Sequence, residues 1–455
     1  MQNMNHKDEA MLKKLLVCLL VIVPLYVAAQ DMPFRVKTST RFGSSAMFGR
    51  VAVDSVRYTQ IRLIQEYNYK KWGLGLDLDF LFDRNYHLKE SDWDDLGDAL
   101  DKIYYFRYAE TGDPFHFHVG GFPRYSVGYG LVMMNYSNMY YYPDLRHTGL
   151  LIGGQIPLMF EPEIEFYSSD ITKNNILSLQ TKFKPLPDST LKILDMAKVG
   201  LSIYTDRNQY ANLKHTLPDS LQYLQKGKRD AATIISFDYT QPLKRTEKAE
   251  YGIYTEVAHM FSNGTGSILP GVYADFKVLK VNLEYRTNGD KFDSSYFDYH
   301  YEEERAVQDT LADGTPIIIT KEEALQSRKS SYGFYGKLQG TIGDRLQAMF
   351  AWQNMYGDEL DNGKSLWFSL GVDTRYKRLE RVAFAYSKTN VSELGLGKIA
   401  VPRANMSASA TIGLDSKRRW FAIGKYSEKY KDKEGGINWW KDTKRSVAVG
   451  VKVNF

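Results

Sequence analysis

SVAVGVKVNF, residues 446–455, carries an apolar side chain at every odd position: Val447, Val449, Val451, Val453 and Phe455. Small or polar residues, Ser446, Ala448, Gly450, Lys452 and Asn454, fill the even positions. Alternation with period two is the mark of a β-strand with two different faces. Chains usually end in a frayed polar tail, so a strand running to the last residue needs a partner on each side.

The same pattern recurs upstream. In WGLGLDLDFLF (72–82), Trp72, Leu74, Leu76, Leu78, Phe80 and Phe82 share one face, opposite Gly73, Gly75, Asp77, Asp79 and Leu81. Six large apolar groups against two carboxylates fit a strand with lipid outside and water inside. They equally fit a soluble sandwich, so strand length and connections decide. Similar alternation at 345–352, 365–376, 405–414 and 419–430 reaches the roughly 9–11 residues that a tilted strand needs to cross a bilayer. Candidate strands are 34–42, 57–69, 72–83, 102–110, 114–120, 149–156, 160–168, 175–183, 198–206, 233–241, 251–260, 270–278, 280–286, 331–341, 345–355, 366–376, 381–388, 404–414, 420–429 and 446–455. The links alternate in length: 415–419, 377–380, 342–344 and 70–71 are short, while 430–445, 389–403, 287–330, 207–232 and 84–101 are long. The link 184–197 is longer than this parity wants. Sorting of loops by parity is expected of membrane barrels, with short periplasmic turns and long external loops. The chain is therefore expected to be all-β: one closed antiparallel transmembrane barrel of 16–20 strands, an even number, spanning residues 30–455.

Composition agrees. Aromatics make up 14% of the 455 residues, with 33 Tyr, as for barrels with rings at both lipid interfaces. Mean hydropathy is −0.41, and no apolar run beyond residue 30 approaches a membrane helix. The net charge of +5 is too small for its length to point to nucleic acid. Lys13 and Lys14 precede the apolar run LLVCLLVIVPLYV, and Val27-Ala28-Ala29 offers small residues for cleavage, so residues 1–29 are expected to be a removed signal peptide. The one cysteine, Cys18, lies inside that run without a lipoprotein context, which leaves the exported chain without thiol or disulfide chemistry.

Together, the signal segment and the terminal VKVNF make the chain resemble outer-membrane β-barrel proteins of Gram-negative bacteria, broadly the porin-like ones. The resemblance covers the whole exported chain as architecture. It implies that Val447, Val449, Val451, Val453 and Phe455 form the signal read by the barrel-assembly machinery, although the aromatic often found earlier in such strands is missing. It also implies contact with outer-membrane lipid.

Candidate functional residues fall into two groups. Asp77, Asp79, His116, His118, Glu163, Glu165 and Lys182 lie at interior-facing positions and are expected to line a water-filled lumen. Glu161 is expected to share the Glu163 and Glu165 face, and Lys182 to add positive charge elsewhere. His116 and His118 share a face, but two histidines without an evident carboxylate do not make a metal centre. The stretch GGFPRYSVGYGLVMMNYSNMYYYPDLRHTGL (120–150) combines four glycines with Tyr125, Tyr129, Asn135, Asn138 and Tyr140. It is expected to fold inward as a plug or constriction; Tyr and Asn there would suit stacking on a polar ligand. The acids Glu302, Glu303, Glu304, Glu322 and Glu323 mark a solvated loop with a small strand at PIIIT (316–320), and Ser91 can cap a short amphipathic helix over 91–100. Nucleophile-elbow, zinc-protease, phosphate-loop and dinucleotide signatures are absent, so neither catalysis nor a cofactor is expected. The expected function is a channel for an unidentified small polar solute; a sealed barrel with a surface binding or assembly role is the alternative.

Overall fold

The computed structural model describes residues 42–454, except 54–55, 90–99, 101, 142–146, 187–191, 218, 226–229, 344, 359, 361, 377, 396–400, 402, 417–419 and 431–442. Twenty strands form one sheet. The first run is β1 (Phe42–Val53), β2 (Val56–Tyr69), β3 (Trp72–Phe82), β4 (Ile103–Tyr108), β5 (Phe115–Gly120), β6 (Gly149–Gln155) and β7 (Glu163–Ser168). Next come β8 (Ile176–Phe183), β9 (Lys198–Asp206), β10 (Ala232–Arg245), β11 (Glu250–Met260), β12 (Thr265–Phe276) and β13 (Leu279–Asn288). A separate hairpin, β14 (Ala306–Thr310) with β15 (Pro316–Thr320), stands inside the following loop. The sheet resumes with β16 (Ser331–Ile342), β17 (Leu346–Gly357), β18 (Lys364–Tyr376), β19 (Leu379–Val391), β20 (Ala404–Gly413), β21 (Trp420–Tyr430) and β22 (Thr443–Asn454).

Every pairing in the large sheet is antiparallel, and each strand has a neighbour on both sides. The ends meet: β22 pairs with β21, Val449 opposite Gly424, and with β1, Val449 opposite Phe48. The arrangement is that of a barrel, and it explains the terminal strand, which leaves no exposed edge to template another chain. Val447, Val449, Val451 and Val453 lie in β22; Phe455 is outside the described residues, as are the signal segment and residues 91–99 of the helix expected at 91–100.

Burial follows the alternation. In β3, Gly73, Gly75, Asp77, Asp79 and Leu81 are buried, while Leu74, Leu76, Leu78 and Phe80 are half-exposed. On other strands Phe115, Ile152, Ile164, Leu179, Phe237, Val257 and Leu283 stay exposed. No helix among the described residues is long and apolar enough to cross a membrane.

Connections sort by end. Phe42 and Asn454 lie at the same end as 70–71, 109–114, 156–162, 246–249, 277–278, 343–345 and 377–378. At the opposite end gather 83–89, 121–141, 207–217, 289–330 and 392–395. The parity is not strict: the link 184–197 is long on the short side and holds a helical turn, Lys192–Asp195, while 261–264 is only four residues on the long side.

Some boundaries differ from the expected ones. The first described strand is Phe42–Val53, whose FGSSAMFGRVAV pattern has too few large apolar groups to announce itself; the strand expected at 34–42 lies, apart from Phe42, outside the described residues. Strand β7 starts at Glu163, so Glu161 sits in the preceding turn at φ 44° rather than on the Glu163 face. Strand β10 continues past a bulge at Pro242 to Arg245.

Candidate functional site

The largest buried apolar cluster belongs to no pair of stacked sheets. It is made by loop 121–148 and loop 289–330 against the interior face of the wall. Loop 121–148 doubles back as a narrow hairpin: the Tyr125 and Tyr136 backbones exchange hydrogen bonds of 2.8 and 2.9 Å. Gly128 and Gly130 turn its tip at φ 63° and 86°, conformations that favour glycine. Beyond the tip Leu131, Val132 and Met133 are fully buried. Here the second loop joins it, the Phe297 N–H donating to the Val132 carbonyl and the Met134 N–H to the Phe297 carbonyl, each at 3.0 Å.

A charged network locks the two loops to the wall. Arg305 donates to Asp206 of β9 at 2.6 Å and to Glu302 at 3.0 Å. Tyr301 donates to the same Asp206 at 2.8 Å, and Tyr136 to Glu302 at 2.5 Å. All five side chains are buried. Burial by itself would raise the Glu302 carboxyl, but the Arg305 guanidinium, His147 and the Tyr136 hydroxyl together outweigh it and hold Glu302 below the usual carboxylate range. A second buried pair, Arg286 with Glu284 at 2.5 Å, also reaches Gln353 of β17 and Ser295 of the loop. At the rim Asp298 and Glu304 share Lys321 and Arg403, with Arg403 to Glu304 at 2.6 Å.

The plug candidates meet in this assembly. Tyr125 donates to Glu165 at 2.7 Å and stacks on Tyr167 with centroids 4.2 Å apart. Tyr129 stacks on Tyr254 at 3.7 Å, and its hydroxyl meets Thr240. Tyr140 donates to Glu303. Asn135 occupies the left-handed region at φ 56° and shapes a turn. The Asn138 side chain accepts from the Phe122 N–H at 2.7 Å and donates to the Ser169 and His147 carbonyls at 2.9 and 3.0 Å. With both ends of its amide occupied, Asn138 holds the loop and has little left for a ligand.

Several lining residues are less wet than their positions imply. Asp77 is fully buried and bidentate with Arg62 at 2.6 and 2.8 Å; Asp79 accepts from Gln60 at 2.8 Å. The expectation of a water-bathed face is corrected there, because the neighbouring strand β2 brings a countercharge into register. His116 does have a carboxylate partner, Glu165 at 3.5 Å, and His118 lies 3.3 Å from the Gly121 carbonyl. Glu163 pairs with Lys198 at 2.6 Å and sits opposite Lys182, whose ammonium lies 5.8 Å from the Tyr129 ring. Lys182 therefore faces the acidic strand rather than a region apart. No group of three or more His, Cys, Asp or Glu poised for a metal occurs among the described residues. Arg305, Asp206, Arg286 and Glu284 escaped the sequence reading; the one signal was a lone Arg closing the acidic run YEEER.

Outside the locked region, a cavity of about 540 Å³ opens between loops 289–330, 358–363 and 392–403. Asp293, Glu304, Lys321, Arg328 and Arg403 line it, and its charges are largely paired with one another.

No family model matches the sequence, and no curated protein matches it. Among solved structures it is similar to the siderophore receptor PirA from Acinetobacter baumannii, with TM-score 0.37, 10% identity, and coverage of 92% of this chain and 81% of that one. It is similar to Wzi from Escherichia coli, an outer-membrane protein involved in capsule assembly, with TM-score 0.34, 11% identity and coverage of 91% and 85%. The A. baumannii outer membrane protein Omp33 gives TM-score 0.24 and 8% identity over 65% of this chain and 98% of that one. Such scores are too low to bear on function. The solved structures that this chain resembles are outer-membrane β-barrel proteins of Gram-negative bacteria.

Proposed function

We propose that this chain is a closed barrel of the Gram-negative outer membrane, exported by a cleaved signal and occluded by its own loops. On this reading it acts at the cell surface as a binding protein rather than as an open porin. One observation carries the proposal: the inward loops are bonded to a long arc of the wall, from β7 to β13, and to β20 beyond it. Tyr125 is tied to β7, Arg305 to β9, Tyr129 to β10, the Tyr129 and Leu131 amides to β11, Ser294 to β13 and His300 to β20. A lid that swings open is not expected to bury five charged and phenolic groups in mutual contact, since exposing half of such a network leaves charges unpaired. The cavity beside Arg328 and Arg403 is where a polar ligand would sit.

A narrow channel for small polar solutes is the second reading. It is favoured by Asn405, Ser407 and Ser409 of β20, which share the interior face and remain half-buried rather than sealed. Planar-bilayer recordings separate the two. The intact protein is expected to stay closed, and a variant lacking residues 124–145, folded by heat-modifiable gel mobility, to show steady openings. Openings of the intact protein would establish the channel. Silence of both would mean that more than this loop fills the interior.

A further inference from the structure

Beneath the tip of the plug, two acidic residues are register partners on adjacent strands, with the Asp238 carboxylate lying over Gly200 of β9. Asp238 of β10 and Glu256 of β11 are register partners on the interior face, 1% and 0% exposed. The Gly128-Tyr129-Gly130 turn wraps Glu256: the Tyr129 N–H donates to its Oε2 at 2.9 Å and the Leu131 N–H at 3.4 Å. Successive backbone amides around a carboxylate form an anion-holding nest. The other oxygen, Oε1, and both oxygens of Asp238 have no hydrogen-bond partner. Two hydroxyls in the same place share that condition. Ser236, two residues along β10, faces Glu256, and Tyr204 of β9 faces Ser236. Their side chains are 5% and 0% exposed; Ser236 Oγ lies near Glu256, and the Tyr204 hydroxyl near Ser236 and Ser202, without a well-formed hydrogen bond.

Two carboxylates on paired strands, both buried away from water, need a countercharge or a shared proton. Lys182, on the strand beyond β9, is the nearest cation but forms no ion pair with either carboxylate among the described residues; its ammonium lies toward the Tyr129 ring. A shared proton would bridge two of these oxygens and leave three. A hard cation takes several oxygen donors at once.

We propose that Asp238, Glu256 and Ser236, with Tyr204 beside them, form a binding site for a hard divalent cation, Ca²⁺ in size and preference. The cation bridges β10 and β11 and, through Glu256, pins the plug tip. Binding itself does not depend on the surface role proposed above; only its effect on the plug does.

The test uses the purified full chain in detergent, with Tb³⁺ as the probe. Tyr129, Tyr204 and Tyr254 around the site would sensitise its emission. Wild type is expected to light up Tb³⁺, to lose the signal on addition of Ca²⁺, and to unfold at higher temperature in Ca²⁺ than in chelator. Asp238→Asn, isosteric and confirmed folded by heat-modifiability, is expected to weaken Tb³⁺ binding about tenfold or more, as for loss of one of few charged ligands. Ser236→Ala, which removes only a hydroxyl, should weaken it less. Unchanged Tb³⁺ affinity in both variants overturns the proposal. So does a wild type indifferent to Ca²⁺ whose Asp238→Asn variant is more heat-stable at neutral pH, since that outcome assigns the pair a shared proton.

Discussion

Arg305 is the residue on which most of the interior converges: Asp206, Glu302 and the Asn208 carbonyl all accept from it. Replacing it with Met keeps much of the volume but strands two buried carboxylates. The expected cost is about 3–5 kcal/mol, read as a lower denaturant midpoint at unchanged slope. Glu302 gives the pH dependence. Its pKa in the folded chain is lowered, so its contribution is full above the unfolded value of about 4.3 and is lost as pH falls through the lower, folded value. Unfolding midpoints should therefore drop on acidification below about pH 4.3, and Glu302→Gln should remove that part of the slope. None of this was legible in sequence, because Arg305 and Asp206 are 99 positions apart and only the fold joins them. By contrast, Tyr125, Tyr129 and Tyr140 stood out as a cluster, since a run of glycines and tyrosines between strands has few other uses than an ordered loop.

At the level of the strand, β3 was the easiest element to see and the easiest to misjudge. Large residues on one face and acids on the other announced which side was which. What remained hidden was Arg62, brought opposite Asp77 by the register of β2. The two faces are consequently both sensitive, for different reasons. Leu76→Arg puts a charge on the lipid face and should cost about 2–4 kcal/mol near the bilayer midplane. Asp77→Asn leaves a buried guanidinium without its carboxylate and should cost about 3–5 kcal/mol. Unfolding in lipid vesicles measures both, and the double variant Arg62→Leu with Asp77→Leu discriminates. It should recover most of the Asp77→Asn loss, because both members of the pair are gone, whereas no interior change should rescue Leu76→Arg. Strand β1 shows the opposite case: glycine, serine and a single arginine break its alternation, and pairing with β2 and β22 supplies what local pattern does not.

For the molecule as a whole, the parity of loop lengths carried the architecture, because hairpins of an up-and-down sheet must deliver alternate connections to opposite ends. Strand number came out at the top of the expected range for the same reason. How full the interior is could not be counted this way. One last property follows from strand length. β4, β5 and β7 have six residues each and β6 seven, against 10–14 for β1–β3 and β10–β13. Six residues rise about 20 Å along a strand, or roughly 15 Å along the membrane normal at the usual tilt, short of an apolar band near 25 Å. In a bilayer the lipids touching this flank must compress, while those on the opposite side keep their ordinary height. Mismatch of this kind carries an energetic cost for every ångström. The molecule would therefore sit in a lopsided collar of lipid, and neighbours or short-chain lipids that tolerate a thin patch would collect against β4–β7.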